Sequence, residues 1–308
     1  MSGFLQRLLK VLGIGGRDLK RLNRTVIHLP ADLRDPDGLV IFSGPMESDV
    51  WPALFLANSL QKEFQEVELN VICPERDHRL FNMLSWRPSV HRYVGKPRVP
   101  GSLEGEKLSS GTLFFYPYSK VIESDRDILL HSKCGIRIAP LDERSRLVNL
   151  TVMTKSPYFP EKLEQMCGAL GLSYHLGWKP VVREHARRAA EQKMAPVTGR
   201  MLPYIVTTAT ALGVLEKNRA EVPLRTVCLS GKNTELSGLD REMKTAIVAG
   251  ASVVATDSDD LWGDACAFEV PVVGLDREGN FMKWHGVEAS RQEADFVDAW
   301  VKLLKRGW

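Results

Sequence analysis

A two-domain α/β protein built on parallel sheets is the fold class predicted here, on three observations. Short apolar, β-branched runs recur along the chain, as in Gly38-Leu-Val-Ile-Phe42, Ser252-Val-Val-Ala-Thr256 and Val270-Pro-Val-Val273. Such runs mark strands covered on both faces. Helical segments separate them, giving the alternation of a doubly wound sheet. The breaker-rich stretch Ala195-Pro-Val-Thr-Gly-Arg-Met-Leu-Pro203 divides two such series.

In order, Gly38 to Phe42 is the first strand, and Ser43 to Val50 a turn full of breakers. Trp51 to Phe64 is a helix with Leu54, Leu56, Ala57 and Leu60 inward. Leu69 to Cys73 is a strand and Glu75 to Leu84 a helix. Thr112–Tyr116, Gly135–Ala139 and Leu147–Val152 read as strands, and Gly101–Gly111 as a surface loop. Tyr158–Gly171 and Pro180–Met194 read as helices. The second series has strands near Tyr204–Thr208, Arg225–Leu229, Ser252–Thr256 and Val270–Leu275, then a closing helix from Asp295 to Arg306. The small residues Ala265, Cys266 and Ala267 suit a helix lying close to a sheet. The expected division is 1–24, 25–195, 203–285 and 286–308. Consecutive Rossmann-like domains place a cleft between them, where both halves can hold a ligand.

Composition excludes several classes. The chain has 308 residues, 44% apolar and 26% charged, with net charge +3. That balance is globular and too weakly basic for nucleic acid, and there is no zinc-finger or RNP spacing. Five scattered cysteines without CxxC spacing predict reduced core thiols in a cytosolic protein. No apolar run reaches the roughly 18 residues of a membrane span. No Walker loop, nucleophile elbow or complete dinucleotide fingerprint occurs, and the histidines lack metal spacing, so neither cofactor nor metal is expected.

Residues 1–24 carry six basic residues, Arg7, Lys10, Arg17, Lys20, Arg21 and Arg24, against Asp18 alone. Phe4, Leu5, Leu8, Leu9, Val11 and Leu12 share one side of a helix ended by Gly13, Gly15 and Gly16. A basic amphipathic helix fits an anionic membrane surface or a protein partner, and equally a seat on its own domain.

Gly38-Leu-Val-Ile-Phe-Ser-Gly, Ser48-Asp49-Val-Trp-Pro-Ala-Leu-Phe-Leu-Ala-Asn-Ser-Leu60 and Glu68-Leu-Asn-Val-Ile72 together resemble the opening of the ADP-heptose:lipopolysaccharide heptosyltransferases, glycosyltransferase family 9. Leu236 to Asp240 and Ile247 to Ser258 are similar to that family's donor-site strand and turn. The resemblance implies a GT-B fold whose N-domain takes an acceptor and whose C-domain takes a nucleotide-diphosphate sugar. It assigns Asp49 as the general base that deprotonates the attacking hydroxyl; a helix cap is the commoner use of aspartate there. Asp257 and Ser258 would sit at the donor turn and can cap the next helix. Ser230 and Lys232, in a strand-end loop, are the nearest substrate-binding candidates, though an exposed turn lysine is the plain alternative.

The departures lie on the donor side. Asp259 stands where the family has Gly, and Leu261, Trp262 and Gly263 fill the region of its His, with one extra residue before Pro271. No lysine follows the strand at Tyr204–Thr208. Asp257, Asp259, Asp260 and Asp264 are read as a solvated helix start rather than a metal site. Two functions follow: an inverting glycosyltransferase moving a sugar from a nucleotide-diphosphate donor to a cell-envelope glycan or lipid acceptor at the inner face of a membrane, or a catalytically inactive relative acting as a scaffold or assembly partner. A cleft filled by Trp262 or Met282 would favour the second.

Overall fold

The computed structural model describes residues 31–99, 101–103, 111–132, 134–142, 145–175, 178–198, 203–222, 225–230, 236 and 239–306. The amphipathic segment 1–24, most of the 101–111 loop, the 199–202 junction and Lys232 lie outside them.

The first sheet contains β1 (Gly38–Phe42), β2 (Leu69–Pro74), β3 (Ser89–Tyr93), β4 (Thr112–Phe115), β5 (Ile136–Ala139) and β6 (Leu150–Thr151), in the order β3-β2-β1-β4-β5-β6. All its ladders are parallel. The central strand shows why a continuous apolar run is needed. Leu39 and Ile41 enter the core on one face, and Val40 and Phe42 the core on the other. The helix α1 (Val50–Glu63) covers the first face through Leu54, Ala57 and Leu60. Glu75–Met83 is a 3₁₀ helix rather than the expected α-helix, and it buries Asp77. The short α2 (Arg126–His131) and α3 (Phe159–Ala169) complete the layers.

The second sheet contains β7 (Ile205–Thr208), β8 (Thr226–Ser230), β9 (Val253–Thr256) and β10 (Val272–Gly274), parallel, in the order β10-β9-β7-β8. The helix α4 (Glu184–Thr198) runs into the stretch expected as linker, and Ala186, Ala190 and Met194 pack with this second sheet. α5 (Ala209–Lys217) and α8 (Glu293–Lys305) cover its other face, where Phe296 and Trp300 are fully buried. α6 (Arg241–Ala249) and α7 (Asp259–Ala267) lie beside α4 and the junction.

α7 joins the two halves. Leu261 and Ala265 belong to the core of the second sheet, while Trp262, Cys266 and Ala267 belong to the core of the first. Gly263 allows this approach, since a Cβ there would stand 3.0 Å from the Trp51 ring. Further back, Phe55, Phe159 and Trp284 meet edge to face, with centroids 4.8–6.0 Å apart. All five cysteines are free thiols, as expected. Among the described residues no helix is long and apolar enough to cross a membrane.

Candidate functional site

The carboxyl ends of both sets of strands meet at the domain junction, where ligands bind in open α/β sheets. The β1–α1 turn is held from several sides. The Tyr118 hydroxyl accepts the Gly44 N–H (2.6 Å) and donates to the Asp49 carbonyl (2.8 Å). Tyr93 donates to the Ser43 carbonyl at 3.1 Å. Gly44 leaves room for the Asp49 carboxyl, since a Cβ would fall 2.2 Å from its Oδ2.

The Asp49 side chain does not cap α1. Its Oδ2 accepts the Met46 N–H at 2.9 Å, closing the turn on itself. Burial pushes its pKa up to about 8; the Met46 bond opposes this, and Asp125, Asp259 and Asp77 add to it.

Opposite lies the start of α7. Asp257 accepts the Thr208 hydroxyl at 2.5 Å and so ties β9 to β7. Ser258 holds the cap position, but its hydroxyl donates to Asp260 instead of accepting from the helix. Asp260 in turn accepts the Leu261 N–H at 2.8 Å. Asp259 accepts from Ser48 across the junction and from the Met282 N–H at 3.3 Å. Burial raises the Asp259 pKa, against the bonds from Ser48 and Met282.

The expectation of a solvated helix start is therefore overturned: Asp260 is 6% exposed and Asp264 is not exposed at all. Asp264 is bound on every side. Arg241 donates two bonds of 2.5 Å, Thr245 one of 2.9 Å, and Trp51 Nε1 one of 3.1 Å from the other domain. Burial works against the Arg241 charge, and Asp264 outweighs it. This carboxylate is the polar anchor of the junction. Nothing in the local sequence marks it, because Trp51 is 213 positions away. Trp262 is 1% exposed and donates to the Met282 carbonyl at 2.9 Å. Ser230 ends β8.

A cavity of about 460 Å³ remains beside this junction, lined by Pro52, Pro117–Ser119, Asp142, Thr154–Pro157, Phe159, Lys162 and Phe281–Lys283. Lys162 is bonded to Asp142 at 2.9 Å, and Lys155 and Lys283 are exposed at the wall. The Thr154 hydroxyl is buried without a partner. The Thr-Lys-Ser-Pro run after β6 was the sequence signal for this pocket, a polar strand-end loop, and it was missed.

No protein-family model matches the chain and no curated protein does. Solved structures do match it. ADP-heptose lipopolysaccharide heptosyltransferase II of E. coli superposes with a TM-score of 0.53 over 87% of this chain and 99% of its own, at 13% identity. The E. coli heptosyltransferase WaaC with ADP-2-deoxy-2-fluoro heptose gives 0.54 over 88% and 99%, also at 13% identity. A family 9 glycosyltransferase from Veillonella parvula gives 0.54 over 92% and 93%, at 12% identity. At such identities the likeness is one of fold: this chain has the two-sheet α/β architecture of the GT-B heptosyltransferases, as the sequence predicts.

Proposed function

We propose that this chain uses a heptosyltransferase fold to bind an anionic saccharide, and that it does so without transferring sugar from a nucleotide. One observation carries the reading: the first turn of α7, where a donor diphosphate would rest, is bonded to the turn that bears Asp49. A helix N-terminus attracts phosphate through free N–H groups. Here Asp260 takes the Leu261 N–H, and Asp259 takes Ser48 and Met282. Each ionised carboxylate about 4 Å from a phosphate would add about 4 kcal/mol of repulsion at an effective dielectric near 20. The catalytic role assigned to Asp49 and the substrate-binding roles assigned to Ser230, Lys232, Asp257 and Ser258 fall away in this reading. Asp49 closes a turn and Asp257 joins two strands.

The binding side is the cavity with Lys155 and Lys283, which offers two exposed cations and an unpartnered hydroxyl to an anionic sugar. The basic segment 1–24 suits a place on an anionic membrane surface or a protein partner. The competing reading, an inverting transferase, is favoured by the Asp49 carboxyl, since a pKa of about 8 lies in the range where a general base works.

Two assays separate the readings. Titration with a phosphorylated oligosaccharide, followed by NMR, is expected to saturate and to weaken about tenfold in Lys283→Ala, the size of one charged hydrogen bond. Incubation with ADP-, UDP- and GDP-sugars and a phosphorylated glycolipid is expected to give no product. Product that disappears in Asp49→Asn would establish the transferase instead.

A further inference from the structure

We infer that the carboxyl-end rim of the first sheet is a docking surface for an anionic lipid bilayer, separate from residues 1–24. Among the described residues, Met46 (55%), Val94 (72%), Ile122 (36%), Met153 (62%) and Val181 (68%) are the large apolar side chains left exposed. Four of them follow strands of one sheet: Met46 comes after β1, Val94 after β3, Ile122 after β4 and Met153 after β6. Because every ladder in that sheet is parallel, these positions lie along one edge, spread from β3 at one side to β6 at the other. Apolar side chains scattered singly need no explanation, but four of five on one rim do.

Charge on the same rim points to the occupant. Lys96, Arg98, Lys120 and Lys155 are exposed there and pair with no described carboxylate. Among the described residues, the exposed acids of the rim are mostly neutralised in place: Glu75 by Arg92 at 3.5 Å, Glu123 by Arg126 at 2.9 Å, and Asp142 by Lys162 at 2.9 Å. Asp127, in the first turn of α2, is the exception. Apolar tips among unpaired cations match a bilayer interface, where the tips enter the acyl boundary and the cations meet anionic headgroups. A protein partner with a packed interface would want a continuous apolar centre instead. Ser119 and Thr154–Pro157, which line the cavity of about 460 Å³, follow β4 and β6 on this rim, so a docked molecule would hold that wall near the lipid surface. The inference stands apart from the saccharide reading, because bilayer binding is measured with no saccharide present.

The test is flotation of the full chain with phosphatidylcholine vesicles, with and without phosphatidylglycerol. Three variants are compared with wild type after circular dichroism confirms that each is folded. The first is Lys96→Gln, Arg98→Gln and Lys120→Gln together; the second is Val94→Ser with Met153→Ser; the third is Arg7→Gln, Leu8→Ser and Lys10→Gln. Wild type is expected to bind only the anionic vesicles. The first variant is expected to weaken binding about a hundredfold, from about fivefold for each lost cation. The second is expected to weaken it about tenfold. Wild-type affinity in both rim variants, with all loss in the third, would overturn the inference. So would absence of wild-type binding, or rim variants that turn a dimer into a monomer, which would make a second copy the occupant.

Discussion

Replacing Asp264 by Asn keeps the side-chain shape and removes the charge that holds Arg241. Arg241 has 5% of its side chain exposed and Asp264 none, so the guanidinium would remain buried with only Asp260, 4.0 Å away, as counter-charge. Breaking such a pair from one side costs about 3–5 kcal/mol. The bonds from Thr245 and Trp51 lose strength as well, and the Trp51 bond crosses the domain junction. Because α7 belongs to both cores, the two sheets should lose stability together. With an unfolding entropy of about 2.1 cal/mol/K per residue, that cost lowers the melting temperature of a 308-residue chain by about 5–8 °C. Calorimetric scans of wild type and Asp264→Asn read this directly. The double variant Arg241→Met, Asp264→Leu removes both charges and is expected to recover part of the loss. A shift below about 2 °C in the single variant would refute the role given to this carboxylate.

Other outcomes follow from the same geometry. Asp49 has a raised pKa, so the folded state keeps a proton that the unfolded chain releases. Its ionisation therefore favours unfolding: wild type should lose stability relative to Asp49→Asn as pH rises from about 4 to about 8, and the two should converge below that window. Urea midpoints across the range check it, and parallel curves would count against the burial of this carboxyl. Gly274→Ala puts a Cβ 2.7 Å from two ring carbons of Trp262 and 3.1 Å from Phe281. A buried indole cannot step aside easily, and a loss of about 1–3 kcal/mol is expected. Gly213→Ala, in the middle of α5 with nothing within 4 Å, should instead gain about 0.5–1 kcal/mol. Equal effects at the two glycines would contradict the packing described for Trp262.

The strands that were legible in the sequence are those with apolar residues on both faces, such as β1 and β9. β3 was missed because Ser89-Val-His-Arg-Tyr93 has the polar pattern of an edge strand. The Leu147–Val152 run was overextended: only Leu150 and Thr151 pair in the sheet, while the Leu147 carbonyl accepts from Arg137 at 3.1 Å. The linker was begun too early because Pro and Gly mark breaks, yet α4 tolerates Pro196 near its end and runs to Thr198. At the site, Asp49 was reached through the family resemblance and Asp257 by its strand end. The fate of their side chains was not legible, since it depends on partners such as Tyr118 and Thr208, dozens of residues away. The acidic run at 257–264 looked like a solvated face because charge alone cannot show that Arg241, Ser48 and Trp51 fold over it.

The closed donor turn is the centre of this account. Calorimetric titration with ADP, UDP and GDP, and with their sugar conjugates, with and without Mg²⁺, tests it most directly. The bonds that Asp259 and Asp260 make lead us to expect no saturable heat at millimolar nucleotide. Saturable binding at micromolar concentration, weakened by Lys232→Ala, would contradict it and restore a working donor site.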